Sequence, residues 1–163
     1  MVATIVWRFS RDPSVHEELV QDVFVAAYES LPRYKGTGAL SHWLARIATR
    51  VGYAYWKRER RDRRVVPLGA RDVEALAEAP ADEAPDYAEA AALIHRLLGA
   101  LRPRDRLVLT LRYVDGHSVE RTAEVTGWSK TMVKVQTLRA RARLKALVEA
   151  AQARRTDEGG GER

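Results

Sequence analysis

Apolar residues recur along this chain at spacings of three and four, segment after segment, with proline or glycine between the segments. That pattern admits little except packed α-helices. Leu19, Val20, Val23, Phe24, Ala27 and Leu31 form one stripe, and Pro32 ends it. Leu40, Trp43, Leu44, Ile47, Val51 and Tyr55 form a second, on a long helix predicted over 39–63 after a turn at Lys35–Gly38. Leu93, Ile94, Leu97, Leu98 and Leu101 give a third. Pro103 opens another segment with Leu107, Val108, Leu111 and Val114 facing inward, and Val133, Thr137, Ala140, Leu144 and Leu147 line a final helix expected to end near 150. The fold class is therefore all-α.

Cap residues sharpen the boundaries. Residues 2–11 read as the tail of a helix. Asp12 before Pro13 is a candidate N-cap, with Ser14 and Glu17 as a competing capping box. Asp86, with Glu89 three residues later, opens the third stripe. Ser118 caps a short helix over 119–125. The turn Thr126–Trp128 follows, and Ser129 caps the final helix. Residues 64–86 break the pattern with Pro67, Gly69, Pro80 and Pro85 and read as a linker. Two small helical domains joined by a flexible acidic linker follow: 1–64, linker 65–86, then 87–150, with a disordered tail over 151–163.

Charge is distributed in blocks. Residues 57–64 hold six basic and two acidic side chains, residues 72–90 hold seven acidic ones and no Lys or Arg, and Lys130–Arg155 holds eight basic against one acidic. Two basic blocks set in helical patterns suggest two polyanion-facing surfaces, since release of counterions from nucleic acid rewards them. Arg-rich helices are also ordinary solvated faces, and either reading fits one block alone.

Several classes are excluded. The chain has no cysteine, and its four histidines show no ligand spacing, so no metal or other cofactor is expected. No phosphate-cradling glycine loop or nucleophile elbow is present, and the chain is not expected to be an enzyme. No apolar run reaches membrane-spanning length, and MVATIVWRFS is too quickly charged for a signal peptide, which predicts a cytoplasmic protein without membrane insertion.

Two surfaces carry the candidate chemistry. At about 100° per residue, Arg46, Arg50, Tyr53 and Lys57 share one face of the second long helix. Three cations around a ring suit phosphates and unstacked bases. The stretch SVERTAEVTGWSKTMVKVQTLRARARL has the mechanics of a helix-turn-helix: Ala123 is small at the crossing, Gly127 suits a positive φ, and Val125 and Val133 bracket the turn. A recognition helix offers its N-terminal residues to base edges while flanking cations hold phosphates. Here those residues are Lys130, Thr131, Lys134, Val135, Gln136 and Arg139. Val135 and Leu138 on the outward face fit thymine methyl groups or a protein contact equally.

In order along the chain, four stretches together resemble a bacterial RNA polymerase sigma factor of the extracytoplasmic-function (ECF) group. EELVQDVFVAAYESLPRY resembles the polymerase-binding helix. KGTGALSHWLARIATRVGYAYWKRERR resembles the segment that melts and reads the −10 element. LLGALRPRDRLVLTLRYVDGHSVERTAEVTG and WSKTMVKVQTLRARARL resemble the domain that reads the −35 element. The resemblance implies a region 2-like bundle and a region 4-like helix-turn-helix, with Gln21, Asp22 and nearby Glu18 contacting polymerase. It implies Val23 and Phe24 as core packing, Trp43 and Leu44 as structural, and Arg46, Arg50, Tyr53 and Lys57 on single-stranded −10 DNA. Implied partners are core RNA polymerase (beta and beta-prime subunits), promoter DNA and an anti-sigma factor. Arg50 stands where many members have Asn, Ala54 where an Asp is expected, Met132 for a usual Thr, and Val135 with Gln136 for a usual Ser-Arg pair. These departures bear on the promoter sequence. The family's first helix begins further upstream, so Met1–Arg11 reads as its second half. The alternative is a stand-alone helix-turn-helix regulator that binds operator DNA.

Overall fold

The structure is a computed structural model that describes residues 1–62 and 87–159; the expected linker and the Asp86 cap lie outside them. The described backbone is helical and contains no strand. In chain order it runs α1 (Val2–Val6), α2 (Pro13–Ser30), a 3₁₀ turn (Leu31–Arg33), α3 (Leu40–Asp62), α4 (Tyr87–Ala100) and α5 (Pro103–Leu109). A π-type turn (Thr110–Val114), α6 (Val119–Thr126) and α7 (Lys130–Gly159) complete it. The final helix thus continues past 150, into the stretch expected to be disordered.

Two compact units result. One contains α1–α3, the π-type turn, α6 and the start of α7 as far as Lys134; the other contains α4, α5 and α7 from Val135 onward. This grouping cuts across the expected segment 87–150, because α6 packs on α3 within the first unit.

Helix α2 begins where its sequence directs. The Asp12 carboxylate accepts the Ser14 and Val15 N–H groups at 2.9 and 3.2 Å, and Pro13 occupies the first turn, where no N–H is needed. Leu19, Val23 and Ala27 are buried, and α2 packs on α1, where Val2 and Val6 are buried as well. Phe24, expected in the core, is 55% exposed, as are Val25, Tyr28 and Leu31 to similar or greater degrees. The helix can bury only one side, and Phe24 lies about 100° round from Val23.

Helix α3 is rotated relative to expectation. Of its expected stripe only Ile47 is fully buried; Trp43, Leu44, Val51 and Tyr55 are half-buried and Leu40 is exposed. The inner face is Ala45, Ala48, Thr49, Gly52 and Trp56. Size decides this. A Cβ at Gly52 would run into the Phe9 ring, so the missing side chain is what admits Phe9. The ring then packs on Trp56 at 4.6 Å between centroids, tilted by 55°, and the Trp56 indole N–H donates to the Phe9 carbonyl at 2.8 Å.

The helix-turn-helix forms as its cap residues require. Ser118 Oγ accepts from Arg121 N at 3.0 Å, and Ser129 Oγ accepts from Met132 N at 3.1 Å. Gly127 takes φ +74° and its N–H closes α6 on the Ala123 carbonyl at 2.8 Å. Thr122, Val125 and Val133 are buried. In the second unit Leu97, Leu98, Leu101, Leu107, Val108 and Leu109 are buried, whereas Ile94 faces solvent. Val114, in the π-type turn of the first unit, is also exposed. The widened turn shifts the register after Thr110, which carries Val114 off the inward face.

A charged cluster sits within the first unit. The Arg8 guanidinium lies 3.2 Å from the Asp115 carboxylate, with both side chains largely buried, and Arg112 donates to the His117 carbonyl. Burial raises the Asp115 carboxyl, although Arg8 and His117 pull the other way. Burial likewise holds the His117 imidazole below its ordinary range, opposed by Asp115 and assisted by Arg8 and Arg121. A histidine kept neutral by folding stabilises the fold fully above its unfolded pKa of about 6.5, and that contribution is lost as pH falls. Asp115 has the opposite sign: its contribution is full below about pH 3.9 and is lost as pH rises through its raised folded value, so it opposes the His117 effect at the acid end. The melting midpoint is therefore expected to drop between about pH 7.5 and 5.5. His117→Gln should flatten that slope in thermal melts, and parallel wild-type and variant slopes would assign the dependence to another group.

Candidate nucleic-acid interface

The outward face of α3 carries Arg46, Arg50, Tyr53 and Lys57 in one row, as their spacing predicts. The three cations are exposed, Tyr53 is half-buried, and the Lys57 ammonium stands 5.4 Å from the Tyr53 ring centroid. Among the described residues no carboxylate pairs with Arg46, Arg50 or Lys57. Their charge is available to an outside anion, and the ring between them offers a stacking face.

Next to this row the structure shows a cleft of about 430 Å³ that sequence reasoning missed. Arg33, Lys35 and Arg46 give it positive charge, Arg121 in its wall is paired with Glu124 at 3.0 Å, and the Tyr34 and Trp43 rings, 4.9 Å apart, form another part of the wall. The Tyr34 hydroxyl donates to the Gly38 carbonyl at 2.7 Å and fixes the intervening loop. The signal was present in the Arg33-Tyr34-Lys35 run before the glycine turn, where a basic residue stands on each side of a ring. Trp43, expected to be structural, is half-buried at this edge. The Arg46 guanidinium lies against Gly127, where a Cβ would come within 3.0 Å of it.

On α7, Lys130, Thr131, Lys134, Val135 and Arg139 are exposed. Lys130 is partly neutralised by Glu120, 3.2 Å away. The Glu120 carboxyl is held below its ordinary range by a hydrogen bond from its own backbone N–H, with Lys130 adding to the effect. Gln136 departs from the expected list. It is 7% exposed and its amide donates to Asp105, so it belongs to the inward face with Val133 and Ala140 rather than to the base-reading face. The physical reason is spacing: 133, 136 and 140 share one side of a helix.

Glu18, Gln21 and Asp22 are exposed on α2, beside Phe24, Val25 and Tyr28. Positions 18, 21, 24, 25 and 28 share one helix face, which makes it a contiguous apolar surface with polar neighbours.

Among the described residues, an all-helical fold thus presents a helix-turn-helix, a second cationic and aromatic face, and an exposed apolar helix face. Residues 1–62 match the family model described as Sigma-70 region 2, and residues 91–144 match Sigma-70, region 4. The ECF RNA polymerase sigma factor ShbA of Streptomyces griseus is 33% identical over 138 residues, covering 82% of this chain and 71% of ShbA. The probable RNA polymerase sigma factor RfaY of Xanthomonas campestris is 28% identical over 147 residues, covering 86% of this chain. The chain spans 36% of that relative's length. Among solved structures, CnrH in complex with the cytosolic domain of CnrY superposes with a TM-score of 0.57 at 29% identity, covering 91% of this chain and 80% of CnrH. The chain belongs to the ECF sigma factors, a family of transcription initiation factors.

Proposed function

We propose that this chain docks on core RNA polymerase through the exposed face of α2 and directs it to promoters by two separate grips on DNA. The observation that carries this reading is a region 2 match followed, in the same chain, by a region 4 match. Glu18, Gln21 and Asp22 supply polar contacts around an apolar centre of Phe24, Val25 and Tyr28, and the polymerase surface they meet belongs to the beta and beta-prime subunits. Arg46, Arg50, Tyr53 and Lys57 hold the unpaired strand at the −10 element. Charge holds its phosphates, and ring stacking traps bases already out of the duplex. Lys130, Thr131, Lys134, Val135 and Arg139 face the −35 major groove, the cations on phosphates and the first-turn side chains on base edges. This chain does no covalent chemistry in that process. An anti-sigma factor would cover these same faces until release. The site of action is the cytoplasm, and no helix among the described residues is long and apolar enough to cross a membrane.

Lys134→Ala is expected to weaken promoter-directed transcription several-fold while leaving polymerase capture intact. The loss of one phosphate contact should lower the salt slope of DNA binding by roughly 0.9. A gel shift with and without core polymerase separates this reading from a stand-alone regulator. Binding that needs polymerase supports the sigma factor. Tight sequence-specific binding by the protein alone, unchanged by polymerase, supports the operator-binding alternative.

A further inference from the structure

Asp105, at the start of α5, is fully buried, and a buried carboxylate is costly unless every lone pair finds a donor. Here it finds two residues on α7, all within the second unit. The Gln136 amide donates to Oδ1, and the Arg143 guanidinium reaches both oxygens at 2.9 and 2.7 Å. Gln136 and Arg143 stand seven residues apart, which places them about two turns, or about 10 Å, along the same side of the helix. One carboxylate held between them fixes both the rotation of α7 about its axis and its axial position. Lys134 and Leu138 lie nearly opposite Gln136, about 160° round on either side. Presenting Gln136 to DNA would need the helix to turn far enough to strip Asp105 of its partners.

We infer that Asp105 is a positioning residue for promoter recognition: with Gln136 and Arg143 it sets which side of α7 faces the −35 element. The inference rests on the sigma-factor reading above. It also reassigns two residues that look suited to DNA. Gln136 makes no base contact, and Arg143, although 48% exposed in its side chain, spends its charge on Asp105.

The test is transcription by core polymerase with the full chain on a promoter library randomised over the −35 element. Asp105→Asn removes the charge, whereas Gln136→Met removes only the amide and keeps the Asp105–Arg143 pair. Both are expected to flatten base preference at every −35 position, by about ten-fold and about three-fold respectively, with polymerase capture unchanged. The double change Asp105→Asn with Gln136→Glu rebuilds an amide–carboxylate pair of reversed polarity, again within reach of Arg143. It should restore preference to nearly the wild-type level, better than either single change. Three outcomes would overturn the inference: a Gln136→Met profile altered at one base position only, which is the mark of a direct contact; a folded Asp105→Asn protein with the wild-type profile; or a folded double variant no better than the singles. Absence of any promoter-dependent transcript from the wild-type chain is a different failure, that of the sigma-factor reading itself.

Discussion

Trp56→Ala is expected to destabilise the first unit by about 3–5 kcal/mol, the range for removing a large buried aromatic, and to leave it largely unfolded at growth temperature. The indole is 2% exposed, packs on the Phe9 ring and donates to the Phe9 carbonyl, so the substitution opens a cavity and strands a buried acceptor together. Gly52 makes the same point from the other side, since any larger residue there meets the Phe9 ring. Urea melts followed by tryptophan-independent circular dichroism would measure the loss. A shift under about 1 kcal/mol would mean that the N-terminal segment contributes little to this core.

The second large effect is expected on association. Phe24→Ala with Tyr28→Ala should lower capture of core polymerase by about thirty-fold or more, matching the roughly 2 kcal/mol typical of aromatic anchors at an interface. Both rings face solvent, 55% and 80% exposed, so their loss leaves no cavity in the fold. Gln21→Ala with Asp22→Ala should also weaken capture, but less, because polar groups at a rim contribute little next to a desolvated ring. Promoter preference should survive both changes. Pull-down on immobilised core enzyme gives the comparison. If the aromatic double variant bound at wild-type strength while the polar one did not, the contact would be electrostatic, and the apolar face would need another occupant.

Most of the helical order was legible before the structure, and so were the caps. Asp12, Ser118, Gly127 and Ser129 each act locally, through a side chain or a φ angle that depends on neighbours three or four residues away. Inward faces were less legible where size rather than hydrophobicity decided them. The α3 stripe of Leu40, Trp43, Leu44 and Val51 is more apolar than Ala45, Ala48 and Gly52, yet the small residues turn inward and Gly52 admits Phe9. Phe24 belongs to the apolar stripe by spacing and to the core by the family resemblance, yet Val23 beside it fills the inner side. Gln136 was misplaced for a different reason. Its role depends on Asp105, thirty-one residues earlier, and no local pattern announces that hydrogen bond. Charge counts have the same weakness: Arg143 contributes to a basic block in the sequence and is neutralised in the fold. The cationic cleft beside Tyr34 is not legible in the sequence because its cations come from the 3₁₀ turn, the loop after it and α3, and converge only on folding.

Recruiting polymerase and placing it on promoters are two tasks proposed for one chain. Run-off transcription with purified core polymerase, with and without this protein, on a random promoter library tests that proposal most directly. Transcripts are expected that depend on the protein and begin downstream of two enriched elements, spaced as −35 and −10. Transcription from the library that is unchanged by adding the protein, together with tight sequence-specific binding of the protein to the same DNA without polymerase, would contradict it.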